Sequence, residues 1–430
     1  MEHADFNQNL LDFLNESPTP WHAVQAMTRQ LDAAGFQALD EREEWHLDEG
    51  QGYYVVRNGS SLVAFRTGKG DPARAGIRMV GAHTDSPCLK VKPNPELRRK
   101  GFFQVGVEVY GGVLLNPWFD RDLSLAGRVT CLDGEGKVRD LLVNFARPVA
   151  FIPSLAIHLD REANSNRSVN AQTDLPPVMM QVPENDQTTL NELLIQQLRK
   201  QQPDVDVRKV LGYELSFYDA QPASLIGLNE EFIASARLDN LLSCYIGLRS
   251  LLDTSGQKPA LLVCNDHEEV GSMSAEGAQG PFLGAVLERW CGAGRGRAIA
   301  RSMMISADNA HGIHPNFMDK HDENHGPLIN QGPVIKVNHN QRYATNSRSA
   351  ALYRHISDEL GLPCQTFVVR SDMGCGSTIG PLTAANLGVT TLDIGVPQLG
   401  MHSVREMTGT RDSYTLYQVL REFMQWDAVN

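Results

Sequence analysis

The chain has 430 residues, 42% of them hydrophobic and 21% charged, with 39 Lys and Arg against 51 Asp and Glu for a formal charge of −12. That balance argues against a nucleic-acid binder, which normally shows a basic face, but it says nothing of a local basic pocket. No run reaches about 18 apolar residues, so no membrane span is expected, and the opening MEHADFNQNLLDF lacks the basic and apolar regions of a signal peptide.

The length suits two or three domains, or one large α/β body with an insertion. The seven cysteines are scattered and form no C-x-x-C, which reads as reduced thiols in a cytoplasmic protein. In chain order, the first 35 residues read as two helices split by Ser17-Pro18-Thr19-Pro20. Tyr53 to Arg57 and Leu62 to Arg66 are strand-like runs joined around Asn58-Gly59, a hairpin signal. Ile77 to Ala82 is a short apolar run, read as a buried strand ending at His83. Between residues 88 and 229 the texture turns to alternating and β-branched runs broken by Gly and Pro, with one helix at Leu190 to Lys200. This predicts an inserted β-rich domain. Residues 1–87 and 230–430 would then form the host domain.

From Phe232 the pattern alternates between strand and helix. FIASARL leads to the helical LLSCYIGLRSLL, followed by ALLVCN, a helix near Gly284 to Trp290, and SMMISAD. PVIKV, a helix at Ser349 to Leu360, QTFVVR, a helix around Thr378 to Leu387, TTLDIG and a last helix complete the chain. Such alternation predicts an α/β fold with a mainly parallel sheet flanked by helices.

Acids and histidines collect where these apolar runs end. His83 and Asp85 follow the run ending at Ala82, and Asp239 follows FIASARL. Asp266, His267, Glu268 and Glu269 follow ALLVC, Asp308 follows SMMIS, and His402 lies beyond TTLDIG. Open parallel sheets bind ligands at the carboxyl ends of their strands. A gathering of N and O ligands there suits zinc or another first-row divalent metal, not calcium or a thiolate site. Glu268 and Glu269 are adjacent carboxylates that repel and need partners if buried.

Other patterns point less well to chemistry. His321-Asp322-Glu323-Asn324-His325 imitates a helical two-histidine zinc motif, but its Glu is displaced and the nearby prolines favour a loop. Gly374, Gly376 and Gly380, with Asp393 in the next strand, imitate a dinucleotide fingerprint with one residue too many. No G-x-S-x-G elbow is present, which counts against an ordinary serine hydrolase.

Seven segments in order resemble the aspartyl aminopeptidase family of dizinc metallopeptidases: GAHTDSPCLKVKP, IPSLAIHLDR, SARLDNLLS, DHEEVGS, SADNAHGIHPN, GPVIKVN and MHSVREM. The resemblance implies a zinc-peptidase fold with a β-rich insertion that mediates subunit contacts. It implies two Zn²⁺ per subunit, with Mn²⁺ or Co²⁺ as substitutes. His83 and Asp308 would hold one zinc, Glu269 and His402 the other, and Asp239 would bridge them. Asp85 would orient His83, and Glu268 would be the general base. Lys336 and His158 would contact substrate, His158 from a neighbouring subunit. The implied activity releases N-terminal residues, Asp or Glu preferentially, from peptides with a free N-terminus. The implied assembly is a homo-oligomer, a dodecamer built from dimers, with no nucleic-acid or membrane partner. An aminopeptidase of broad or neutral specificity, or a non-catalytic metal-binding homologue, are the alternatives. SDMGCGSTIGP follows the family pattern less closely in its first half, which concerns the substrate pocket.

Overall fold

A computed structural model describes residues 1–427. The chain divides into two compact units, one comprising residues 1–86, 223–401 and 406–430, the other residues 87–222 and 402–405.

The first unit is built on a nine-stranded mixed sheet. From one edge its strands run Gln37–Ala38, Gly52–Arg57, Ser61–Arg66, Ala260–Asn265, Arg78–His83, Met303–Ala307, Thr390–Gly395, Val334–Lys336 and Gln365–Phe367. The four strands from Ala260–Asn265 to Thr390–Gly395 are mutually parallel. Three of these four are buried along their whole length, as expected of parallel strands covered on both faces. Alternation assigns their side chains to two separate cores. Val80, Leu262 and Ile305 pack with the helices His3–Glu16, Leu238–Leu252, Ser347–Glu359 and Thr410–Phe423. Met79, Val263 and Met304 pack with Phe282–Cys291 and Ile379–Leu387 on the opposite face.

The hairpin turns through Asn58 and Gly59, both at positive φ, as the Asn-Gly pair led one to expect. The run FIASARL behaves differently from its reading as a strand of the parallel sheet. Only Phe232–Ser235 is extended, and it belongs to a separate five-stranded sheet, antiparallel to Ser224–Ile226 and Glu406–Gly409. An apolar run of that length carries no mark of which sheet it joins. The pairing of Ser224–Ile226 with Phe232–Ser235 also explains why the chain re-enters the first unit at Ala223.

The second unit is a six-stranded antiparallel sheet. Its order is Val138–Asn144, Leu123–Asp133, Val207–Asp219, Cys88–Arg99, Phe102–Tyr110 and Val178–Gln181. One helix, Leu190–Gln201, opens on a capping box of Thr189 and Glu192 and contributes Leu190, Leu194 and Leu198 to this unit's own core. Among the described residues no helix is long and apolar enough to cross a membrane. None of the seven cysteines is joined in a disulfide.

Candidate metal centre

His83 is the last residue of its strand and is almost fully buried. Its Nε2 lies 3.4 Å from Asp239 Oδ1 and 3.9 Å from both Glu268 Oε2 and Asp308 Oδ1. Its Nδ1 lies 3.0 Å from the backbone oxygen of Asp85 and 3.3 Å from Asp85 Oδ1. A proton on Nδ1 donates to Asp85 and leaves the Nε2 lone pair facing three carboxylates.

Each acid reaches this point by a different local device. Glu268 and Glu269 begin a short 3₁₀ turn that follows the strand Ala260–Asn265, entered through His267 at positive φ. The Asp85 carboxylate caps that turn, with Oδ1 accepting from Glu268 N–H and Oδ2 from Glu269 N–H, both at 3.1 Å. Asp239 arrives from the five-stranded sheet through a left-handed turn at Arg237, where the helix Leu238–Leu252 begins irregularly. The Asp239–Asn240 peptide bond is cis. Asp239 N–H donates to Glu406 Oε2 at 3.0 Å, and Ser86 Oγ donates to its carbonyl at 2.6 Å. Asn240 Nδ2 donates to Ala307 O and Asn309 Nδ2 to Leu238 O, which stitches this turn to the strand end that carries Asp308. Glu406 and Asn309 are buried site residues that the sequence reading did not single out.

Electrostatics describe a cluster with too much negative charge. Burial pushes the Glu268 carboxyl up to about 8; nearby His83 opposes this, while Asp308, Asp85 and Asp239 add to it. Glu269 is pushed well above the usual carboxylate range by burial and then by Asp239. Burial works against a charged His83, yet Asp239, Asp308 and Asp85 together hold the imidazole well above its ordinary value.

The donor set fits zinc. His83, Asp239 and Asp308 offer ligand atoms mutually within 4.8 Å, and so do His83, Glu268 and Glu269. Two ligands of a tetrahedral zinc, each at about 2.1 Å, stand about 3.4 Å apart. The 3.4 Å from His83 Nε2 to Asp239 Oδ1 matches that spacing, and the 3.9 Å to Asp308 Oδ1 is about half an ångström wider. They are longer than direct N–H···O hydrogen bonds, about 2.7–3.2 Å.

Lys336 ends its strand almost fully buried, with Nζ 3.6 Å from Asp308 Oδ2 and donating to Asn309 O at 3.1 Å. Its ammonium also stands 5.2 Å from the Tyr343 ring centroid. A cavity of about 300 Å³ in the same unit is lined by His311, His314, Phe367, Arg370, Met373 and Gln398, among others. The loop at His321 to His325 carries no helix, as its prolines led one to expect.

Two of the expected residues belong to the second unit. His402 opens the segment of residues 402–405 that joins the strands Pro397–Leu399 and Glu406–Gly409, and its Nδ1 lies 3.0 Å from Gly112 O. His158 is exposed in a turn, flanked by exposed Leu155, Ile157 and Leu159.

Comparison with known proteins agrees with this chemistry. A sequence profile described as aminopeptidase I zinc metalloprotease (M18) matches residues 13–424. A probable M18 family aminopeptidase 2 of Ectopseudomonas mendocina is 58% identical over 418 residues, 97% of each chain. A chain solved by cryo-EM in a complex of Ape4 and Nbr1 superimposes with a TM-score of 0.95 at 39% identity, over 98% of this chain and 86% of that one. The S. cerevisiae mApe1 dodecamer gives a TM-score of 0.85 at 27% identity, over 98% of this chain and 97% of that one.

Proposed function

The chain belongs to the M18 family and is a metallo-aminopeptidase, a hydrolase that removes residues from peptide N-termini; from that premise we propose that it favours N-terminal Asp and Glu and uses Glu268 as its general base. The observation that carries this reading is the convergence of three carboxylates, from Asp239, Glu268 and Asp308, on one imidazole edge.

His83 and Asp308 would hold one zinc, Glu269 and His402 a second, and Asp239 would contribute a ligand to both. Zinc, when bound, supplies Lewis acidity that polarises a peptide carbonyl and makes water a nucleophile near neutral pH. Asp85 fixes the His83 tautomer through Nδ1, a partner that raises ligand basicity. The same carboxylate sets the angle of the Glu268–Glu269 turn. Glu268 takes the proton of the attacking water and returns it to the nitrogen of the leaving peptide.

An acidic N-terminal residue needs a cation in an otherwise acidic protein. Lys336, buried beside Asp308, supports that role. A charge-assisted contact contributes about 1.5–3 kcal/mol. A panel of aminoacyl peptides, assayed with Zn²⁺, Mn²⁺ or Co²⁺, tests the specificity. Faster cleavage after Asp and Glu than after Leu or Ala is expected, and equal rates would favour a broad-specificity aminopeptidase.

The relative from S. cerevisiae is a dodecamer, and this chain assembles likewise, from dimers. Exposed Leu155, Ile157 and Leu159 around His158 support a contact there. His158 then reaches a neighbouring subunit's site as a hydrogen-bond donor to the reacting carbonyl oxygen. Co-assembled His158→Ala and Glu268→Gln chains, each nearly inactive alone, should regain part of the activity; mixed oligomers without recovery would remove His158 from that role. Seven cysteines outside any disulfide suit a cytoplasmic setting.

A further inference from the structure

Asp393 is fully buried near the end of the strand Thr390–Gly395. Its carboxylate gathers donors from two separate segments. Oδ2 accepts from Ala344 N–H at 2.6 Å and Oδ1 from Thr378 Oγ at 2.5 Å. Its own N–H donates to Thr345 Oγ at 2.9 Å. Thr378 is the N-cap of the helix Ile379–Leu387, and its hydroxyl also accepts from Gly380 N–H.

This accounts for a spacing that sequence alone left without a use. Gly380 and Asp393 are the last members of the pattern that imitates a dinucleotide fingerprint. In the fold they meet each other: a Cβ at position 380 would lie 2.4 Å from both Asp393 carboxylate oxygens. A helix start attracts an anion, and here the anion is the chain's own buried carboxylate.

Asp393 also lies close to Lys336. Their strands pair antiparallel, with Val334 opposite Gly395 and Ile335 opposite Ile394, and the Lys336 charge acts on the Asp393 carboxyl against the effect of its burial. Ala344 and Thr345, which Asp393 holds, directly follow Tyr343, whose ring faces the Lys336 ammonium. Asp308 flanks the same ammonium at 3.6 Å. The ammonium thus lies beside the Asp308 carboxylate and an aromatic ring, and Asp393 fixes both the ring's loop and the adjoining helix start.

We propose that Asp393 is a positioning residue for Lys336: by tying the Tyr343–Thr345 turn, whose ring faces the ammonium, to the Thr378–Gly380 helix start, it sets how strongly the enzyme discriminates in favour of acidic N-terminal residues. This rests on the reading of Lys336 as the cation for the substrate side chain.

The test compares zinc-loaded full-length enzyme and three variants, Lys336→Ala, Asp393→Asn and Gly380→Ala, on two peptides that differ only in an N-terminal Asp or Ala. Asparagine keeps one acceptor where two donors converge. Gly380→Ala leaves Asp393 intact but pushes a methyl group into its carboxylate, in a helix where Ala is otherwise the better residue. Both Asp393→Asn and Gly380→Ala should lower the Asp-to-Ala ratio of kcat/KM roughly tenfold or more, the scale of one charge-assisted contact. The loss should fall on KM for the Asp peptide, with zinc content and turnover of the Ala peptide retained. A purely structural role would lower both substrates alike, or lower only the melting temperature, and would overturn the proposal. So would an unchanged ratio in both variants while Lys336→Ala collapses it. Should Asp393→Asn fail to fold, Gly380→Ala decides alone. A wild-type enzyme without acidic preference, or one whose preference survives Lys336→Ala, would instead refute the reading on which the proposal rests.

Discussion

Replacing Asp85 by Asn isolates one carboxylate that performs two tasks. Its oxygens accept from the backbone N–H groups of Glu268 and Glu269, and Oδ1 stands 3.3 Å from His83 Nδ1. Asparagine has nearly the same shape but only one acceptor oxygen, so its NH₂ group must face a backbone N–H. A buried donor left unsatisfied costs about 1–3 kcal/mol. Because the affected turn carries both glutamates, that cost falls on the geometry of the centre, equivalent to roughly 5- to 150-fold in zinc affinity. Partners that orient metal ligands typically account for 10–100-fold, which agrees. Competition with a chromophoric chelator measures the affinity directly, and the melting temperature of metal-free protein reports the cost to folding. Unchanged zinc affinity together with unchanged turnover would refute the role given to Asp85.

Two further perturbations separate catalysis from stability. Glu268→Gln should lower kcat by roughly 10²–10⁴-fold, the value of a general base, with zinc content by elemental analysis unchanged; loss of zinc would make Glu268 a ligand instead. His22, buried with Nδ1 2.7 Å from Thr19 Oγ, has its pKa lowered to about 4 by burial and then by Arg237 and Arg29. Its folded pKa lies below the ordinary 6.5, so the unfolded chain binds the proton more readily. Stability is full above pH 6.5 and is lost as pH falls towards 4, by about 3 kcal/mol in all. At matched zinc, the melting temperature of His22→Gln should fall less than that of wild type over this window; parallel curves would contradict the assignment.

Much of the cluster around His83 was legible because its members stand at the ends of short, apolar runs. His83 ends, and Asp308 follows, a strand that is buried along its whole length. The adjacent carboxylates at 268 and 269 were conspicuous for the same reason. Asp239 was found by its motif, but its route was misread: its strand belongs to the five-stranded sheet, and only the turn at Arg237 brings it to His83. Glu406, Asn309 and the capping role of Asp85 left no signal, because each acts by a hydrogen bond to backbone distant in sequence. The same holds for Asp393 and Gly380, whose spacing only imitated a dinucleotide fingerprint and which the fold sets against each other.

The central claim is a two-metal centre whose shared ligand is Asp239. Anomalous diffraction at the zinc edge, from crystals of zinc-loaded enzyme, tests it most directly. The account predicts two maxima per chain, one at His83 and Asp308, the other at Glu269 and His402, with Asp239 in contact with both. A single maximum, or two that do not share Asp239, would contradict it.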